Sequence, residues 1–170
     1  MDAIQELQNL RTQLIQEINL SFDHIIQNLR MQESTIRKED VEESEIEYVL
    51  AESTGHFKGE KPVGVILPNG NRVYVRTWKK VVEAILQDCI KNPTIRIKLE
   101  NLRGKVGGRE RVFLADRPDT MRGPLKIDNH IFMETHYDTE TLLRILTTHI
   151  LRPINYDYSR IKIVVRNRVD

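Results

Sequence analysis

Apolar residues recur along the first part of the chain at Ile4, Leu7, Leu14, Ile18, Phe22, Ile25 and Leu29, three or four positions apart. Arg11 occupies the one polar step, and an extra four-residue step separates Ile18 from Phe22. Neither Pro nor Gly interrupts Asp2 to Met31, and good helix formers dominate. The spacing predicts a coiled-coil helix over 1–32, with a seam of about 28 residues and about 42 Å at about 1.5 Å per residue, whose seven apolar side chains form an oligomerisation surface. Leu10, Ile15 and Ile26 widen the stripe. A helix laid on the chain's own core, or offered to another protein, fits the same stripe.

Residues 33–55 are acidic and poor in core-forming side chains, and they read as a linker in which Ile46–Leu50 could form a short strand or turn. The pattern then changes to short runs. Val63–Leu67 is continuously apolar, Pro68-Asn-Gly-Asn71 is a tight-turn signal, and Arg72–Arg76 alternates. Thr77 is an N-cap for a helix over Trp78–Lys91, with Trp78, Val81, Val82, Ile85, Leu86, Cys89 and Ile90 on one face. Trp78 reads as a core plug, with base stacking as the functional alternative. Asn92-Pro93 ends the helix, and the alternation of Ile95, Ile97 and Leu99 predicts a strand.

The order returns further on. Val112–Ala115, Leu125–Asp128 and Ile131–Glu134 read as strands, and Asp138 or Thr139 caps a helix faced by Leu142, Leu143, Ile145, Leu146, Ile150 and Leu151. Pro153 stops that helix, and Ile161, Ile163 and Val165 alternate in a last strand. The predicted fold is α+β: a long N-terminal coiled-coil helix, then two pseudo-repeated ββαβ modules, 63–100 and 111–166, forming a sheet-and-helix domain over 56–168. A chain of 170 residues is long enough for one good core.

Charge divides the chain. Residues 1–55 hold 4 Lys/Arg against 12 Asp/Glu, and residues 56–170 hold 22 against 13. A basic domain attracts polyanions. Arg103, Lys105, Arg109, Arg111, Arg117 and Arg122 fall in a junction with Gly104, Gly107 and Gly108, where backbone can approach a phosphate and guanidinium groups can bind it. The glycine spacing matches no nucleotide loop. Arg76, Lys79 and Lys80 extend the basic set, and their counterparts in the second module are Glu134, Asp138 and Glu140. Repeated positions read as core, so this charge difference marks the expected partner face.

Catalytic signals are sparse. His130, His136 and His149, with Glu134 and Asp138, are the one concentration of titratable groups, but the six-residue spacing of His130 and His136 is not that of a metal pair, and none of the five serines sits in a nucleophile elbow. No enzyme activity, metal or cofactor is expected. No stretch approaches the roughly 20 apolar residues of a membrane span, and no signal-type segment opens the chain. With the single cysteine, Cys89, these features fit a cytoplasmic protein with no membrane partner.

Gly64 to Trp78, Arg111-Val-Phe-Leu114, Ile127 to Phe132-Met-Glu-Thr-His136 and the Leu-rich helix after them resemble a widespread bacterial domain of poorly assigned function found near restriction, phage and mobile-element genes. The resemblance spans 56–168. This chain departs from that pattern in having Phe132-Met-Glu134 for Tyr-Val-Glu, and Thr139 for Ser. The resemblance implies a setting in defence, counter-defence or mobile-element control. Charge and pattern together predict a homo-oligomeric protein that binds DNA or RNA. An adaptor or inhibitor docking on a nuclease is the alternative, and a nuclease or hydrolase subunit using His130, Glu134 and His136 is the third reading.

Overall fold

Two antiparallel sheets share one helix in the domain that follows the N-terminal arm. The structure, a computed structural model, describes residues 2–39, 44–52, 55–109 and 111–166, and within the arm the side chains as far as residue 28. The side chain of Leu29 and the expected domain end at 167–168 lie outside the described residues. The chain divides into two units, the second beginning at Glu45.

The first unit is helix α1, Ala3–Glu39, longer than the expected 1–32. Asp2 starts it, its carbonyl accepting from Gln5 N–H at 2.9 Å. The apolar stripe is open: Ile4, Leu7, Leu14, Ile18, Phe22 and Ile25 are each between 49% and 66% exposed.

The second unit opens with β1, Glu45–Val49, inside the stretch expected to be linker. With β2 (Pro62–Ile66), β3 (Arg72–Tyr74) and β7 (Lys162–Arg166) it forms a sheet of order β1-β7-β2-β3. An acidic segment becomes a strand because its backbone pairs with β7 and its charges face out: Lys162 Nζ donates to Glu47 at 2.9 Å, and Arg72 Nη2 donates to both Glu45 oxygens at 2.8 Å. Val65, Ile163 and Val165 line the inner face. On the outer face Gly64 is the Cα partner of Val164, and a Cβ there would meet Arg72 Nε at 3.0 Å. The Arg72 side chain therefore lies across the glycine and reaches over the Tyr74 ring, 4.8 Å from its centroid.

Helix α2, Trp78–Lys91, begins at Thr77, whose hydroxyl accepts from Lys80 N–H. Its stripe of Val81, Val82, Ile85, Leu86 and Cys89 is wholly buried against β2 and β5 (Pro124–Asp128). Burial raises the Cys89 thiol pKa, with the Asp88 charge adding to the effect, which leaves it a small inert hydrophobe. Trp78 is half-buried, 5.1 Å from the Phe57 ring, and its Nε1 donates to Glu60 O. It packs at the edge of the core. The second sheet, order β4-β6-β5, comprises β4 (Leu114–Ala115), β5 and β6 (Ile131–Glu134).

The strand expected over Thr94–Leu99 is a helix. Pro93–Asn101 forms α3, with Pro93 at its first position and the Asn92 side chain accepting from Thr94 and Ile95 N–H. Asn92-Pro93 ends one helix and starts the next. Leu99 is buried and Ile95 half-buried, a four-residue step, while Ile97 stays 58% exposed. The first module is thus ββαα, and the matched segment near the C-terminus, β7, lies between β1 and β2. The proposed repeat therefore fails at its third segment. Helix α4, Thr139–Arg144, is capped by Asp138 and continues as a π-helical segment over Ile145–Leu151.

Candidate nucleic-acid interface

The basic junction folds as a ribbon rather than an open loop. Gly104 N–H donates to Leu114 O at 2.8 Å, Phe113 N–H to Val106 O at 2.9 Å, and Gly108 N–H to Arg111 O at 2.8 Å. Gly107 permits this approach, since a Cβ would meet Arg111 O at 2.6 Å. The fold-back carries Arg109 and Arg111 to one end of the ribbon. Arg103, at the other, is committed elsewhere: Nη1 donates to His130 O at 2.6 Å and Nε to Glu100 O at 2.8 Å, which ties α3 to the β5–β6 turn.

Beside the ribbon end lies an open cleft of about 620 Å³ lined by Arg109, Arg111, His136, Tyr137, Arg144 and His149, with Gly108, Phe113, Thr141 and Ile145 completing it. Phe113 is 7% exposed and forms the floor, edge-on to Tyr137 at 6.1 Å and tilted to His149 at 5.3 Å. Among the described residues each charged or titratable lining group is basic or neutral, and none is a carboxylate; Glu110, between Arg109 and Arg111, lies outside the described residues. Among the described residues no ion pair joins Arg109 or Arg144 to an acid.

Glu134, two residues before His136 of the lining, is committed to backbone. Its side chain is fully buried, and its oxygens accept from the backbone N–H groups of Arg122 at 2.7 Å, Gly123 at 2.8 Å and His136 at 2.9 Å. Burial pushes its pKa up, but those three bonds and the Arg111 charge outweigh it, and the carboxyl sits below its ordinary value of 4.5. The Tyr137 hydroxyl is raised by burial and by the Glu134 charge, with Arg111 opposing.

The other expected phosphate contacts divide. Arg76, Lys105, Arg117 and Arg122 are exposed. Lys79 Nζ donates to Pro124 O at 2.9 Å, beside Arg122, and Lys80 pairs with Glu83 one turn along. Lys79, the Arg122–Pro124 segment, Glu134 and His136 are therefore joined by direct hydrogen bonds up to the cleft edge. Arg144 was not anticipated, nor was its meeting with His136 and His149: the three come from different segments, and the placement of α4 beside the ribbon brings them together.

The expected contrast between the two modules is corrected. Glu134, Asp138 and Glu140 are not an outward acidic face. Asp138 accepts from Thr141 N–H at 3.0 Å, and Glu140 from Gly55 and Phe57 N–H at 2.9 and 2.8 Å. All three carboxylates are occupied by backbone. The grouping of His130, Glu134 and His136 also separates. His130 precedes β6 and His136 follows it, about 20 Å of strand at about 3.3 Å per residue, and both Glu134 oxygens are already bonded. Among the described residues no three His, Cys, Asp or Glu side chains converge as metal ligands.

A second open cleft of about 650 Å³ mixes Asp88 and Asp157 with Lys91 and Arg160, so it lacks a single sign of charge. Tyr156 donates to Asp88 there at 2.6 Å, and burial, then that bond, raise the phenol pKa. No protein-family model, no curated protein and no solved structure matches the chain. Among the described residues no helix is long and apolar enough to cross a membrane.

Proposed function

We propose that the chain is a non-enzymatic nucleic-acid-binding protein that holds phosphate in the cleft of Arg109, Arg111 and Arg144 and self-associates through α1. The observation that carries this reading is a cleft whose described lining holds three arginines, two histidines and no acid, beside a carboxylate whose oxygens are spent on backbone. Guanidinium groups without a carboxylate partner are free to make charge-assisted, bidentate bonds to phosphate. Exposed Arg122 and the hydrogen-bonded path from Lys79 extend the surface a backbone could follow. Contacts of this kind position a strand and read little sequence. The resemblance to defence- and mobile-element-associated domains supplies the proposed setting, in a bacterial cytoplasm.

Titrating the full chain with labelled duplex and single strands of random sequence tests the reading. If the three cleft arginines each meet a phosphate, affinity falls with salt at a log–log slope of about −3. A chain that binds neither form at about 50 mM salt sinks it, because the electrostatic term is then at its strongest.

A further inference from the structure

We propose that α1 pairs with a second copy of itself in antiparallel orientation. The inference rests on self-association through the same helix and adds its direction. The seam is its own mirror image: reversed about a point between Gln16 and Glu17, Ile4 falls on Leu29, Leu7 on Ile25, Arg11 on Phe22 and Leu14 on Ile18, each within one residue. In that arrangement each step of the seam meets a side chain it can pack against.

Arg11 decides between the two directions. A parallel pair in register would set Arg11 against Arg11 inside the seam, two like charges drawn out of water with no acid beside them. The antiparallel pair sets each Arg11 on the partner's Phe22, where a guanidinium rests favourably on an aromatic face. The two arginines then lie apart, roughly 16 Å along the axis at about 1.5 Å per residue.

The area is sufficient. The exposed seam side chains of Ile4, Leu7, Leu14, Ile18, Phe22 and Ile25, with Leu10, Ile15 and Ile26 flanking, can bury on the order of 700 Å² per helix. That gives about 1,400 Å² in all, within the range of a stable interface. The flanks carry uncharged Gln8, Asn19, Ser21 and Asn28, and one acid, Glu17, beside the symmetry point, where the antiparallel pair sets two carboxylates near each other at the solvent edge of the seam. The antiparallel pair also releases its two chains at opposite ends of the helical rod.

Disulfide trapping in the full chain tests direction, since the natural Cys89 is buried and silent. Leu7→Cys and Ile25→Cys chains, each oxidised alone, should stay almost entirely uncrosslinked. An equimolar mixture should yield the mixed pair at least tenfold more abundantly than either self-pair. Leu7→Cys crosslinking to itself overturns the antiparallel proposal and leaves self-association standing. A spin label at Gln5 provides a second readout that leaves the seam intact. Antiparallel pairing places two such labels about 35 Å apart at about 1.5 Å per residue, and parallel pairing under about 20 Å. A wild-type chain that is monomeric by light scattering removes self-association itself, an outcome distinct from a wrongly directed pair.

Discussion

The outer face of the first sheet and the cleft beside the second are both rich in cations, but they dispose of them differently. On the sheet, each long basic side chain with a described partner reaches an acid: Arg72 lies between Glu45 and Tyr74, and Lys162 meets Glu47. At the cleft, acids stand nearby but have turned to the backbone, and Arg109 and Arg144 have none among the described residues. Counting charges along a sequence cannot separate these cases. What separates them is whether a carboxylate spends its lone pairs on a neighbouring cation or on amides. A face of the first kind is balanced in itself; a face of the second kind is completed by an anion from outside.

The largest test of that contrast is Glu134. Glu134→Ala leaves three backbone donors unsatisfied inside the protein and is expected to cost about 3–5 kcal/mol of stability in chemical denaturation. Glu134→Gln keeps the shape but turns a donor toward donors, and is expected to cost about 2 kcal/mol. Because the folded carboxyl titrates below its ordinary value of 4.5, its stabilisation is whole above that value and is lost as the pH falls through the lower, folded one. The wild type should weaken over that acid window, and Glu134→Gln should weaken less. Equal pH profiles would mean that the carboxylate is not held as described.

Next in size is the cleft. Reversing Arg109, Arg111 and Arg144 to Glu together should lower nucleic-acid affinity by about 100-fold or more and flatten the salt slope by about three units, read by fluorescence anisotropy. The matching reversal on the balanced face, Arg72→Glu with Lys162→Glu, should change affinity less than about threefold, as for a site that meets no phosphate. If both reversals weaken binding alike, general charge rather than the cleft governs it. Gly64→Ala should destabilise by about 1 kcal/mol, since the new methyl displaces the Arg72 strap. Smallest is Lys162→Ala, which removes one exposed ion pair and should cost about 0.5 kcal/mol at most.

Local chemistry carried much of this fold into legible sequence. Thr77 caps α2, Asn69-Gly70 turns β2 into β3, and Asp138 caps α4, each through an interaction within a few residues. The errors share a cause as well. Ile95, Ile97 and Leu99 alternate, yet Asn92-Pro93 supplies both a cap and a first helical residue, and the local start signal prevails over the period. β1 was legible only as a strand-or-turn alternative at 46–50 inside a linker, because its partner strand lies far along the chain: the Glu47–Lys162 bond spans 115 positions. Arg109 and Arg111 could be picked from composition. Arg144 could not, and neither could its meeting with His136 and His149, which depends on how α4 lies beside the ribbon.

The position of β7 carries a consequence in time. β7 stands between β1 and β2, so both wait with an open edge while roughly 100 further residues are synthesised, about 5–20 s at usual rates. The glutamates of β1 then serve the nascent chain, since a charged strand is a poor template for a neighbour of the wrong kind. Substitutions that make β1 apolar should therefore lower the yield of soluble protein more than they lower the stability of the molecules that finish folding.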